Sequence, residues 1–210
     1  MILEAALVAS LAAECAPNVE PATMQALIFH ESSANPYAIG VVGTPLVEQP
    51  SSKEDAIATA KSLIDLGANI SLGLGQINYK NLPALNMSIE DAFEFCPNIK
   101  AADEILSSCF VRATKDGQEG QGALQSALSC YYSNNFRRGL VREKEFGDTS
   151  YVERIAKQNE RLVPSIQFSS NDVREGEADQ GKVQTNSKIK QEAIEDVTGK
   201  DDNWDVFQDF

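Results

Sequence analysis

Apolar residues recur at helical spacing through most of the chain up to about position 162, and the breaks between stripes mark the elements. Leu3, Leu7, Val8 and Leu11 predict a short amphipathic first helix, interrupted by C-A-P-N-V-E-P. The next helix opens at Glu20 or Thr23 and closes at Asn35-Pro36, because the residue before a proline is pushed out of the helical region. Ser51 with Glu54 reads as a capping box for a helix running to about Leu66, with Ala56, Ile57, Ala60, Leu63 and Ile64 inward and Gly67 as its stop. Ser88 is placed as the cap of a short helix through Phe95. Longer stripes run from Asn98 to about Ala113 and from about Ala123 through Leu124, Ala127, Leu128 and Tyr131. A last helix, about Ser150 to Leu162, turns Tyr151, Val152, Ile155 and Leu162 inward and ends before Pro164. Residues 37–47 are extended, β-branched and broken at Gly43, which predicts a small hairpin or a pair of strands. The expected fold class is mainly α, α+β with a small hairpin.

One stripe carries a charge. Met24, Leu27 and Ile28 share a helix face with position 31, and position 31 is Glu. A carboxylate on an apolar stripe, near the negative end of the helix dipole, is disfavoured twice as an anion. Both effects raise its pKa, as a general acid working near neutral pH requires. The competing reading is a Glu turned to solvent at a fraying helix end. Residues 69–78, N-I-S-L-G-L-G-Q-I-N, read as a loop in which two glycines let backbone approach something closely while Gln76 and Asn78 offer amide groups. A plain glycine-softened connection is the alternative. Tyr131 repeats the arrangement of Glu31, a polar tip at the end of an apolar face, as many core tyrosines do.

Composition then limits the functions. With 42% hydrophobic residues in 210, the chain can bury one good core, and residues 1–164 read as a single domain. Residues 165–210 hold 11 acidic against 5 basic side chains with little periodicity, which predicts a disordered tail. Its last ten residues, D-D-N-W-D-V-F-Q-D-F, place Trp204, Phe207 and Phe210 among acids, as in a docking peptide or a tail folded back on its own domain. A net charge of -13 without a basic cluster argues against nucleic acid as a partner. No run of 18 apolar residues predicts a membrane span. The N-terminus lacks a basic region and carries Glu4 in its apolar run, so it reads as a helix and not as a secretory signal; export then requires residues upstream or another route. Four cysteines, none in a C-x-x-C pair, and one histidine leave no zinc site, and no metal or cofactor is expected. Two disulfides in an oxidising compartment is the preferred reading, against four buried thiols in a cytosolic protein. If residues 98–112 form one helix, Cys96 and Cys109 lie roughly 20 Å apart, too far to bond, so Cys15 pairs with one of them and Cys130 with the other.

Taken in order, H-E-S-S-A-N-P-Y-A, S-L-G-L-G-Q-I-N and A-L-S-C-Y-Y-S-N-N resemble the three blocks of the soluble lytic transglycosylases, relatives of goose-type lysozyme that cleave the glycan of bacterial peptidoglycan. The C-A-P-x-V-x-P opening and the N-P-Y-A-I-G-V string are similar to the branch that serves VirB-type type IV secretion and conjugation systems. The resemblance spans roughly residues 3 to 162. It implies a lysozyme-like catalytic domain, peptidoglycan glycan strands as substrate, secretion-system subunits as partners and a periplasmic location. It also implies that Glu31 is the catalytic acid/base and Ser32 the small polar residue after it. Gly73, Leu74, Gln76 and Ile77, with Asn78 next to them, match the block that lines the sugar cleft, and Tyr131 matches the tyrosine that supports the catalytic carboxylate. Two departures touch the positioning of the substrate's N-acetyl group. Tyr132 and Asn134 stand where the pattern has Asn and Gly, and Gly40 stands where a serine often follows the glutamate by nine residues. No Asp or Glu occurs in residues 69–82, where the second carboxylate of an ordinary glycosidase might stand. A lone carboxylate fits a transglycosylase that forms a 1,6-anhydro sugar; a hydrolytic lysozyme and a non-catalytic scaffold are the rival readings.

Overall fold

Helix α2 (Pro21–Ser32) is buried along five consecutive residues, Met24 to Ile28, and a helix apolar nearly all round belongs in the middle of a core. Its one buried amide is satisfied, because Gln25 Nε2 donates to the Ala5 carbonyl at 2.7 Å. This is a computed structural model; it describes residues 1–162. The expected tail at 165–210 and its docking segment lie outside the described residues. Helices α1 (Ala5–Cys15) and α6 (Tyr151–Leu162) pack on α2, while α4 (Phe95–Lys115) pairs with α5 (Gly120–Ser133) and also receives α1. Helix α3 (Lys53–Asp65) packs on a three-stranded antiparallel sheet in the order β1 (Ile39–Val41), β2 (Ile70–Leu72), β3 (Ile77–Asn78). Leu72 sits opposite both Ile39 and Ile77. The mainly helical fold class with a small sheet therefore holds.

Several expected details change. Residues 37–47 do not fold back on themselves; β1 pairs with β2, in the stretch expected to be a loop. Strands of two and three residues are too short to show a period-2 pattern, and their pairing supplies the missing signal. The cap of α3 is Ser52 and not Ser51: its Oγ accepts the Asp55 N–H at 3.2 Å, and Asp55, not Glu54, reaches back to the Ser51 N–H at 3.1 Å. On α1 the inward stripe is Val8, Ala12 and Cys15, leaving Leu7 44% exposed. Only a single 3₁₀ turn, Asp91–Phe93, follows Ser88; its N-cap is Glu90, and the Ser88 Oγ accepts the Asp91 N–H at 3.1 Å. Helix α4 starts at Phe95, ahead of the expected Asn98, because Pro97 falls in its first turn, where the missing N–H costs nothing. Cys15 bonds Cys96 and Cys109 bonds Cys130, which fits the exclusion of a 96–109 link.

Candidate active site

The end of α2 is built to stop abruptly. Ser33 and Ala34 take left-handed backbone conformations, φ 53° and 60°, so the chain turns away one residue after Ser32 and leaves Glu31 in the last helical turn. The Ser32 hydroxyl donates to the Ile28 carbonyl at 3.1 Å, which ties the expected binding residue back into its own helix. Glu31 is partly buried, and burial pushes its carboxyl up to about 7. A hydrogen bond from the Tyr151 hydroxyl to Oε1 and the positive charge of Arg154 both pull the other way. Desolvation outweighs them, so near neutral pH the group divides between acid and carboxylate.

Residues 73–76 form the tight turn between β2 and β3, held from α4. Asn98, buried to 1% exposure, accepts the Gly75 N–H at 2.7 Å and donates to the Leu72 and Ala92 carbonyls at 2.9 and 2.7 Å. Gly73 has φ +74°, and a Cβ there would lie 2.3 Å from the Ala92 oxygen, so no other residue fits. Leu74 and Ile77 point into the core. Gln76 Nε2 donates to the Ala38 and Gly73 carbonyls at 3.2 and 2.9 Å. Its Oε1 lies 2.6 Å from where a Cβ of residue 40 would be. The glycine at 40 therefore leaves room for the Gln76 amide. Asn78 is buried and bonded to Asn69 and to the Lys80 N–H.

Tyr131 reaches across from α5, but its hydroxyl donates to the Gly75 carbonyl at 2.6 Å and not to Glu31. Burial and the charge of Glu31 together raise its pKa well above the usual value, which places the phenol and the carboxyl within electrostatic reach. Gln76, Ile77, Asn78 and Tyr131 line an open cavity of ≈ 380 Å³ between the sheet, α4 and α5. Glu31 is not among its lining residues, and Ser32, Gly73 and Leu74 do not reach it either. Half of the expected set thus lines the cavity, Gly73 and Leu74 belong to the turn that bounds it, and Glu31 and Ser32 sit at the end of α2.

A second group was not anticipated. Tyr151, expected only as an inward core residue, bonds Glu31. The Tyr132 ring stacks on Tyr151 with centroids 4.5 Å apart, and His30 meets the same ring edge-on at 5.0 Å. The Tyr132 hydroxyl donates to Glu143 at 2.9 Å, and Arg154 bonds the other Glu143 oxygen at 2.8 Å. Burial, with help from Arg154, lowers His30 to about 4, so it is neutral at pH 7. Tyr151 carried the same signal as Tyr131, a polar tip heading an apolar helix face, whereas the pairing of Glu143 with Arg154 across a turn leaves no periodic mark.

Residues 9–135 match the family model described as the transglycosylase SLT domain. The chain belongs to the transglycosylase SLT domain family. It is 48% identical over 147 residues to the type IV secretion system protein virB1 of Brucella suis biovar 1, covering 69% of this chain and 60% of that protein. It is 30% identical over 158 residues to the protein virB1 of Rhizobium radiobacter, covering 74% and 62%. It thus spans less than two thirds of the length of these relatives. No solved structure matches it significantly. The SLT model covers Glu31, the 73–76 turn and Tyr131 but stops before Glu143, Tyr151 and Arg154.

Proposed function

We propose that the protein is a peptidoglycan lytic transglycosylase, which cleaves the MurNAc-GlcNAc β-1,4 bond and leaves a 1,6-anhydroMurNAc end. The observation that carries this reading is Glu31, a single carboxyl whose burial keeps it partly protonated near neutral pH. It donates its proton to the glycosidic oxygen as the C1–O bond breaks. The substrate's own 2-acetamido group stabilises the developing oxocarbenium charge, a role that a second protein carboxylate fills in ordinary glycosidases. Glu31, now a carboxylate held by the Tyr151 hydroxyl, takes the proton of the C6 hydroxyl. That oxygen closes on C1 and no water is consumed. Support for a single-carboxyl route comes from the 69–82 block, which lacks acids, and from Glu143, whose two oxygens are occupied by Tyr132 and Arg154.

The type IV secretion name of the Brucella relative supports a setting in the periplasm, where the enzyme opens the wall locally for a secretion or conjugation apparatus. The two disulfides fit that oxidising compartment, and no helix among the described residues is long and apolar enough to cross a membrane. Digestion of purified peptidoglycan followed by mass analysis of the muropeptides tests the reading. Anhydro ends are expected. Reducing ends alone would make the protein a lysozyme, and binding without cleavage would make it a scaffold.

A further inference from the structure

The cavity beside Tyr131 holds a cation that the mechanism does not use. Arg112, in the last turn of α4, is the one cation among the described residues that line it. A basic side chain near a helix C-terminus offsets the negative end of the dipole, and Lys115 shares that turn. Dipole compensation, however, requires no fixed guanidinium. Arg112 Nη2 donates one hydrogen to Asn134 Oδ1 at 3.0 Å and turns the other to the disulfide sulfurs of Cys130 and Cys109, 2.7 and 3.4 Å away, and its guanidinium carbon lies 5.9 Å from the centroid of the Phe136 ring. All of these neighbours are neutral. Glu104, the one acid on the same wall, is eight residues earlier on α4, about 12 Å along a helix, and forms no ion pair with Arg112.

This seat is made partly from the chain's departure from the third block. Asn134 ends α5 with φ 51°, a left-handed position that suits glycine and that asparagine tolerates, and it adds the carbonyl that holds Arg112. The Cys109–Cys130 disulfide fixes α4 to α5 at the same place. A guanidinium anchored through one nitrogen by neutral acceptors keeps its charge and its remaining N–H groups for a planar anion, and a carboxylate matches that fork. Glycan strands are neutral along the sugar backbone. Their carboxylates lie on the lactyl-peptide branches.

We propose that Arg112 is a carboxylate-binding site of the cleft, which takes a carboxylate of those branches and makes peptide-bearing strands the preferred substrate. The proposal rests on the function given above and names the part of the substrate that this wall of the cleft reads. The test compares wild type, Arg112→Gln and Arg112→Lys on three substrates. These are native uncross-linked strands, the same strands with carboxylates converted to amides by carbodiimide and ammonium, and strands stripped by an amidase to the bare lactyl carboxylate. On native strands the glutamine variant should lose roughly tenfold in kcat/KM, mainly through KM, with the lysine variant in between. On amidated strands the wild-type to variant ratio should be near one. On native strands the lactyl carboxyl is amide-bonded to the peptide, so the ligand there is a peptide carboxylate. Loss of the ratio on stripped strands would support the site, and its persistence there would overturn the preference for peptide-bearing strands. An equal loss on native and amidated strands would show a merely structural role, and no loss on native strands would also overturn the proposal. If wild type cleaves none of the strands, the functional reading fails, and the affinities of wild type and Arg112→Gln for the same three strands still decide the site.

Discussion

At the scale of single residues, burying Glu31 links the proposed catalysis to stability. Its pKa moves from 4.5 to about 7 on folding, so the folded protein holds the proton more tightly than the unfolded chain. The associated stability is fully present below pH 4.5, declines as pH rises and is lost above about 7, a swing of roughly 3 kcal/mol. Glu31→Gln should therefore lose anhydro-muropeptide formation, to below about 1% of wild type, and yet unfold at higher denaturant than wild type at pH 8. A variant less stable than wild type at pH 8 would contradict the buried acid. The Tyr151 hydrogen bond lowers the Glu31 pKa, so Tyr151→Phe should move the alkaline limb of the pH-rate profile upward. Tyr131→Phe should leave the limb in place, since that hydroxyl bonds the Gly75 carbonyl; a limb that follows Tyr131 and ignores Tyr151 would reverse the assignment. Glu31 was legible in the amino-acid pattern because a charge on an apolar stripe breaks a local period. Tyr151 was placed inward correctly but not beside Glu31, since a contact between residues 120 positions apart is a property of packing.

At the scale of elements, Asn98 joins α4 to the glycine turn. Removing its side chain takes the partner of the buried Gly75 N–H and one donor from each of the Leu72 and Ala92 carbonyls, a costly change in the core. Asn98→Ala should cost about 2–4 kcal/mol in denaturant unfolding, and a loss below about 0.5 kcal/mol would mean that the turn holds itself. The glycines of that block were legible as a close backbone approach, and the approach is to Ala92 and Asn98. Of the sheet they interrupt, only β1 was legible, inside the extended residues 37–47; β2 and β3 are two or three residues long, too short for a period. Helix existence and inner faces read well from periodicity, except in α1, whose inward stripe is Val8, Ala12 and Cys15, and in the short helix expected from Ser88. Helix ends did not, since Ser51 and Ser52 are equally good caps on paper and only the position of Asp55 decides between them.

Across the whole molecule, the two disulfides close long loops. Cys15–Cys96 spans 81 residues and Cys109–Cys130 spans 21, so chain entropy predicts losses of about 4 to 5 and about 3 kcal/mol respectively when each is removed as a double serine variant. Peptide mapping without reductant should recover these two links; a 96–109 link or four free thiols in exported protein would contradict the structure. The pairing was half legible, since helix rise excluded one partner, and which of the remaining two Cys15 takes depends on α1 lying against the start of α4. The acidic tail is proposed to be separable from the chemistry. A chain ending at Pro164 should still cleave peptidoglycan while losing capture of a secretion-system subunit, and loss of cleavage would refute that division. The central claim is that one carboxyl, Glu31, carries out the reaction without water. The most direct test is digestion of peptidoglycan in water enriched in heavy oxygen, with mass analysis of every new end. Wild type should give anhydro ends carrying no label and Glu31→Gln no new ends, whereas reducing ends that carry the label would show that water is the nucleophile.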